Sequence, residues 1–352
     1  MLRGGDGEDT WEEVDGGDIE DLASPLELHR KRGRKAVFVT ELVAQEWCEM
    51  ALDLTLRKDK GRVQQTAQMA AGSERHEEVE REVHTHVRVP VKTKEDTHAI
   101  KLINLKSAAH QLCTQGIARE VPVFGYVGGA EGEEGLWIAG IIDELAMEEG
   151  PGPGESCVVV RELKTRNNPT MPSAAQQRGT ALQLMLYKTL WDRMVLPGGG
   201  IDGAGLALQN RLDLNKPLSP ECAASLASLG STATSLTQIL EALAFCPTID
   251  PTMHEALAFC PTIYPTMHVR YEHLSQSSAG QQVARLLGEQ HVKHDSKALT
   301  YSLARQLPFW RGLAAPRGVT LNSDGNVLAS EGWREWSVHA SPQRLLELGE
   351  DV

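Results

Sequence analysis

The chain has 352 residues, 41% of them hydrophobic and 24% charged. That length suffices for one large domain or two smaller ones with an ample core, and the balance is ordinary for a soluble protein. No apolar run reaches the roughly 18 residues of a membrane-spanning helix, which argues against a membrane role. A net charge of −13 speaks at first sight against a nucleic-acid partner, but its distribution softens that. Nine acids stand against the single Arg3 in the first 24 residues, −8 in all, which leaves −5 for the remainder. So acidic a start is neither a secretory signal nor an evident mitochondrial presequence. The six cysteines (Cys48, Cys113, Cys157, Cys222, Cys246, Cys260) form no CxxC pair, as expected of an intracellular, reducing compartment.

Residues 1–36 read as a disordered acidic leader ending in a basic cluster, Arg30, Lys31, Arg32, Arg34 and Lys35. The cluster is a nuclear address, a phosphate contact or a solvated linker. From Val37 the chain becomes structured. Thr40 is placed to cap a helix through Trp47 and Leu56. A second helix is expected from Thr66 to Val87, with Val79, Val83 and Val87 along one stripe. A third spans Thr97 to Thr114 and stops at Gly116. Val121, Val123 and Gly125 mark a strand, Leu136–Met147 and Ser156–Thr165 two more. Ser173 to Met194 is a strong helix. A strand-like stretch follows Gly200, and then a mostly helical region. This order gives an α/β fold. Within the helical region, residues 241–254 and 255–268 are near-identical 14-residue copies that differ only at Asp250 against Tyr264. A solenoid needs at least three copies, so one copy is expected to loop out. Its paired Cys246/Cys260 and His254/His268 are duplicates, not a metal site.

The chemistry concentrates in the two strands before the strong helix. The first carries Asp143; 19 residues later the second carries Glu162 and Lys164, whose side chains share one face. Two acids can hold a hard divalent cation, and a lysine beside them can orient water for attack on a phosphate. A hairpin with its charges turned to water is the competing reading. His76 and Glu80 lie four apart on the second helix and either reach a metal held by the strands or form a surface pair. Gln176, Gln183 and Tyr187 share a face of the strong helix and suit phosphate or base contacts, and Arg166 adds a cation beside the acids.

Taken in order, G-x-x-x-H-x-x-x-E (Gly72 to Glu80), I-I-D-E-L (Ile141 to Leu145), E-L-K-T-R (Glu162 to Arg166) and Q-L-M-L-Y (Gln183 to Tyr187) resemble the RecB-type PD-(D/E)XK nucleases. Val39 to Val43 with Trp47-Cys48-Glu49, Phe309 to Gly312 and Pro316 to Val319 narrow the resemblance to the exonuclease V family. It covers residues 37–319. It implies a restriction-endonuclease-like core of mixed sheet flanked by helices, about 66–215, with a helical C-terminal part, about 216–319. It implies hydrolysis of single-stranded DNA with Mg²⁺ (or Mn²⁺) in DNA repair. Asp143 and Glu162 would be metal ligands with His76 a further ligand, Lys164 would orient the attacking water, and Arg166, Gln176, Gln183 and Tyr187 would hold the strand. The resemblance also implies single-stranded DNA and a single-strand-binding protein as partners, with the chain acting as a monomer in the nucleus, or else in the cytoplasm or mitochondrion.

The family also implies a [4Fe-4S] cluster, with Cys48 as one ligand and three more cysteines after Val319. None follows Cys260 here. Residues 320–352 are a divergent tail in that place: either the cluster is lost or the end is mis-spliced or frameshifted. A cluster-less relative that grips DNA ends without cutting is therefore the alternative function. An unrelated α/β protein whose acidic leader binds a basic partner is a third. The intact Asp143, Glu162 and Lys164 favour the nuclease.

Overall fold

The computed structural model describes residues 23–46, 48–57, 67–81, 87–128, 135–150, 152, 156–195, 200–244, 262–276, 282–321 and 327–330. Its first helix, α1 (Pro25–Lys31), is fixed by a capping box in which Ser24 Oγ accepts from Glu27 N–H and the Glu27 carboxylate accepts from Ser24 N–H. His29 on α1 is 1% exposed, bonds to Glu41 and meets Trp310 edge-on. Order thus begins before the end of the expected leader. Arg32 donates to the carbonyls of Thr55 and Leu56, and Arg34 pairs with Glu41, so two of the basic residues belong to the fold.

After β1 (Val37–Phe38) the expected single helix is two, α2 (Val39–Ala44) and α3 (Glu49–Arg57). The cap is not Thr40: Glu41 turns back to accept from Phe38 N–H at 2.9 Å. Between the helices Glu46 accepts from Ser302 and Gln306 of the C-terminal region, each at 2.6 Å, a demand that a continuous helix does not serve. Trp47 lies outside the described residues. Helix α4 (Ala67–Glu80) ends before the expected Val87, which stands in irregular chain leading to Pro90. Helix α5 (Lys94–Gln115) starts at a Thr93/Asp96 capping box and ends at Gly116, whose φ of 75° only glycine adopts freely.

Three strands follow: β2 (Ile117–Val127), β3 (Leu136–Glu149) and β4 (Ser156–Arg166), then α6 (Ala174–Val195). The strand-like stretch after Gly200 is instead α7 (Gly203–Asn210), nucleated by Asp202, whose carboxylate accepts from Gly205 N–H at 2.7 Å. Helices α8 (Pro220–Ser228) and α9 (Leu236–Ala244) come next. The region read as helical to residue 319 then yields two long strands, β5 (Thr266–Gln276) and β6 (Gln282–Lys293), before α10 (Ser296–Trp310) and the small pair β7 (Val319–Leu321) and β8 (Val327–Ser330). Met267, Val269 and Tyr271 are buried at alternate positions, a period of two that begins at the end of the second copy.

β5 and β6 complete the main sheet, whose order is β1-β3-β4-β5-β6 with β2 on the other edge of β3. β1–β3 and β4–β5 are parallel and the rest antiparallel, so the fold is a mixed α/β sheet flanked by helices. Parallel β5 brings residues more than a hundred positions downstream against the Glu162–Lys164 strand, with Glu162 opposite Val269 and Lys164 opposite Tyr271. The duplication is not a structural unit. The head of its first copy ends α9 and the tail of its second begins β5; residues 245–261 lie outside the described set. Among the described residues no helix is long and apolar enough to cross a membrane.

The two ends of the domain are tied at Glu49, which is 3% exposed. Arg317 gives it its backbone N–H at 3.0 Å and Nε–H at 2.8 Å, and Met50 N–H donates to the Arg317 carbonyl at 3.1 Å. Arg317→Met should lower the unfolding free energy by about 3 kcal/mol, because it strands a buried carboxylate. Urea titration of the variant checks this, and a loss within error of zero would show the tie to be dispensable.

Candidate active site

β3 changes partners along one edge. It pairs with β1 at Ile138 and Ala139 and with β4 from Glu144 to Glu149; between them the ladder is open. At this fork the Leu163 N–H of β4 donates at 2.9 Å to Asp143 Oδ2, a side chain standing in for a ladder carbonyl. The fork exposes Asp143 while fixing it to the strand that carries Glu162 and Lys164.

Glu162 is 3% exposed. Its Oε1 accepts from Lys164 Nζ at 2.7 Å and from Gln183 Nε2 at 2.9 Å. Gln183 Oε1 accepts from Lys164 Nζ at 3.1 Å, and its amide also donates to Tyr187 Oη at 2.9 Å. Gln183 and Tyr187 were expected to touch the strand. Instead they are buried at 4% and 3%, and they hold the acid and the lysine from α6. Tyr187 can lie there because position 140 is glycine: a Cβ would come within 2.6 Å of its ring and 3.0 Å of Val39. Arg166 donates to Gln176 at 3.2 Å; this pair stands at the end of β4, apart from the Lys164 network.

Helix α4 crosses the fork. Arg75 bonds to buried Glu272 on β5 at 3.0 Å, Arg119 on β2 donates to the Val79 carbonyl, and a Cβ at Gly72 would come within 2.9 Å of Thr165 Oγ1 on β4. So held, α4 brings His76 Nδ1 to 3.8 Å from Asp143 Oδ2. The sequence reading missed one member. Glu120 on β2 falls opposite Asp143, between the paired Arg119↔Glu144 and Val121↔Ile142, yet its φ of 50° keeps it out of the ladder. A left-handed non-glycine residue at such a place is strain held by its surroundings. Ligand atoms of His76, Glu120 and Asp143 all lie within 4.8 Å of one another. Only the β2–β3 register reveals Glu120; in the sequence it is one acid among many.

Burial pushes all three acids up. Asp143 rises to about 6, with Lys164 pulling the other way. Glu162 rises to about 7 for the same reason, again against Lys164. Glu120 rises to about 7 through burial and the nearby Glu80 and Glu162. Burial lowers His76, which favours the neutral imidazole. Lys164 is depressed by burial, but Glu162 outweighs this and leaves it above its ordinary range. Three carboxylates sharing one lysine, the His76 imidazole within ligand distance of two of them, and the buried, unpartnered Glu162 Oε2 fit a hard divalent cation.

Among the described residues Cys48 has no cluster partners: its Sγ accepts from Ala51 N–H at 3.3 Å, as a cap on α3, and no group of cysteines there is close enough to hold a metal. A [4Fe-4S] cluster needs four thiolates, so the described residues do not fit one.

Two cavities open from the acids on either side of α4, one of about 570 Å³ and one of about 700 Å³, both lined by His76, Glu80, Glu120 and Asp143. Glu162 lines the first of these cavities, so the buried acid beside Lys164 is reached from solvent there. The profile of a family described as exonuclease V, a 5′ deoxyribonuclease, matches residues 24–152 and 152–325. Exonuclease V of Danio rerio is 29% identical over 310 residues, covering 86% of this chain and 69% of that one. A crystal structure of SSO0001 aligns over 80% of each chain at 10% identity with a TM-score of 0.31. The chain belongs to the exonuclease V family, and it is a deoxyribonuclease.

Gly140→Ala should cost about 1–3 kcal/mol of stability by overpacking against Tyr187, and should lower activity by shifting Gln183 from Glu162; denaturant melts and rate measurements read both. Because the raised acids hold more protons folded than unfolded between roughly pH 4 and 7, stability of the metal-free protein should fall as pH rises through that window. Glu120→Gln should raise its melting temperature by a few degrees at neutral pH in EDTA and flatten the pH dependence.

Proposed function

We propose that this protein is a metal-dependent exonuclease that hydrolyses phosphodiester bonds of single-stranded DNA in repair, on a PD-(D/E)XK core. The observation that carries the reading is buried Glu162, with Oε1 held by Lys164 and Gln183 and Oε2 without a partner, beside Asp143 at the fork. Asp143, Glu162 and Glu120, with His76, would hold Mg²⁺ or Mn²⁺, which when bound supplies charge neutralisation at the phosphate and a more acidic water. Lys164 gives two of its three N–H groups to Glu162 and Gln183. The third is placed to orient the attacking water and to steady charge gathering on the phosphate oxygens. Tyr187 and Gln183 keep that ammonium and carboxylate in register and exclude water beneath them. Nuclear work is supported by the basic run Arg30–Lys35, of which Arg32 and Arg34 also serve the fold.

An end-labelled single-stranded oligonucleotide tests the reading. Cleavage should require Mg²⁺, stop in EDTA, and drop by at least about a hundredfold in Lys164→Ala. It should also weaken as pH falls from 8 toward 6, because the acids take up protons and lose the cation. Cleavage untouched by EDTA, or by the loss of Lys164, would sink the mechanism.

A further inference from the structure

Central strand β3 buries or half-buries each of its apolar residues from Leu136 to Leu145 except Ile141, which is 46% exposed. Ile141 lies two residues before Asp143, so both project from one face, about 7 Å apart along the strand. An aliphatic side chain open to water in the middle of a sheet has a solvation cost and no fold-level use. The open ladder between β1 and β4 leaves it uncovered. It lines the larger cavity with Leu274 of β5 and Met69 of α4, while Thr165, Arg166 and Asn167 form the polar side. The other cavity differs in kind. Arg75, Arg119, Arg161 and Arg270 line it, each engaged with an acid.

A deoxyribonuclease that holds a phosphate at Asp143 must lodge the adjoining nucleotides in the spaces that open from it. We infer that Ile141, backed by Met69 and Leu274, is the seat of the nucleobase next to the scissile phosphate. Every base has an apolar face, and aliphatic side chains contact or wedge bases without reading their edges. Such a seat suits an enzyme that must accept any sequence: it fixes the nucleotide by shape while the acids fix the phosphate. The inference rests on the nuclease reading and adds to it a binding residue that takes no part in bond breaking.

The test is an oligonucleotide series carrying one abasic spacer at successive positions, cut by wild type, Ile141→Ala and Ile141→Leu. Wild type should slow about tenfold where the spacer adjoins the bond being cut. Ile141→Ala should be slowed on intact strand by a similar factor and should no longer distinguish the spacer; Ile141→Leu should behave as wild type. Ile141 is exposed, so the variants should melt with wild type, and equal melting temperatures verify that. The seat is refuted if wild type ignores the spacer, or if Ile141→Ala keeps the wild-type ratio, while cleavage of intact strand continues. Wild type that leaves intact strand uncut in Mg²⁺ would bring down the nuclease reading and the seat with it.

Discussion

The site depends on one backbone N–H, that of Leu163, given to a side chain where a sheet would give it to a carbonyl. That bond holds β3 and β4 together at the point where their ladder stops. Without it the strands would either zip closed and bury Asp143 in a regular sheet, or part and leave the acids unmatched. With it, Asp143 stays partly open at the fork and tied to the residue between Glu162 and Lys164. Both neighbouring helices then answer to the same gap. Helix α6 fills it from one side with Tyr187 against Gly140, and α4 covers it from the other.

The electrostatics follow from that geometry. Glu162 is buried because Gln183 and Lys164 satisfy one oxygen, and its other oxygen is left facing the acids. Burial is what chiefly raises Asp143, Glu120 and Glu162, and the fork adds repulsion between them: Glu120 raises Asp143, Asp143 raises Glu162, and Glu162 raises Glu120. The metal-free fold therefore stores repulsion at the point where it works, and the bent backbone of Glu120 adds strain there. Stability and function pull in opposite directions at these residues, as they commonly do where a site must be ready for charge.

Much of this was legible in the sequence. Asp143, Glu162, Lys164 and His76 announced themselves because their spacing is local to single strands and one helix. Gly116 and the boundaries of β3, β4 and α6 were legible for the same reason. What stayed hidden depends on pairing between distant segments. Glu120 belongs to the site only through the β2–β3 register. β5 and β6 follow the duplication, and β6 is mostly exposed, so little alternation of buried residues marks it. Gln183 and Tyr187 were visible as a helical stripe, but the missing Cβ at Gly140 lets that stripe face inward, toward Glu162 and Lys164. The break between α2 and α3 is imposed by Ser302 and Gln306, far along the chain.

The duplicated segment falls between α9 and β5, on the connection that returns the chain to pair in parallel with β4. A parallel return has no fixed length, and closing a loop twice as long costs only about 0.6 kcal/mol more. The ladder from Arg161↔His268 to Arg166↔His273 sets where β5 must lie, and nothing in it records how many residues preceded it. The tail of the second copy is itself anchored: Ile263 is buried, bridges Val158 of β4 and donates its N–H to Asp192 of α6 at 2.8 Å.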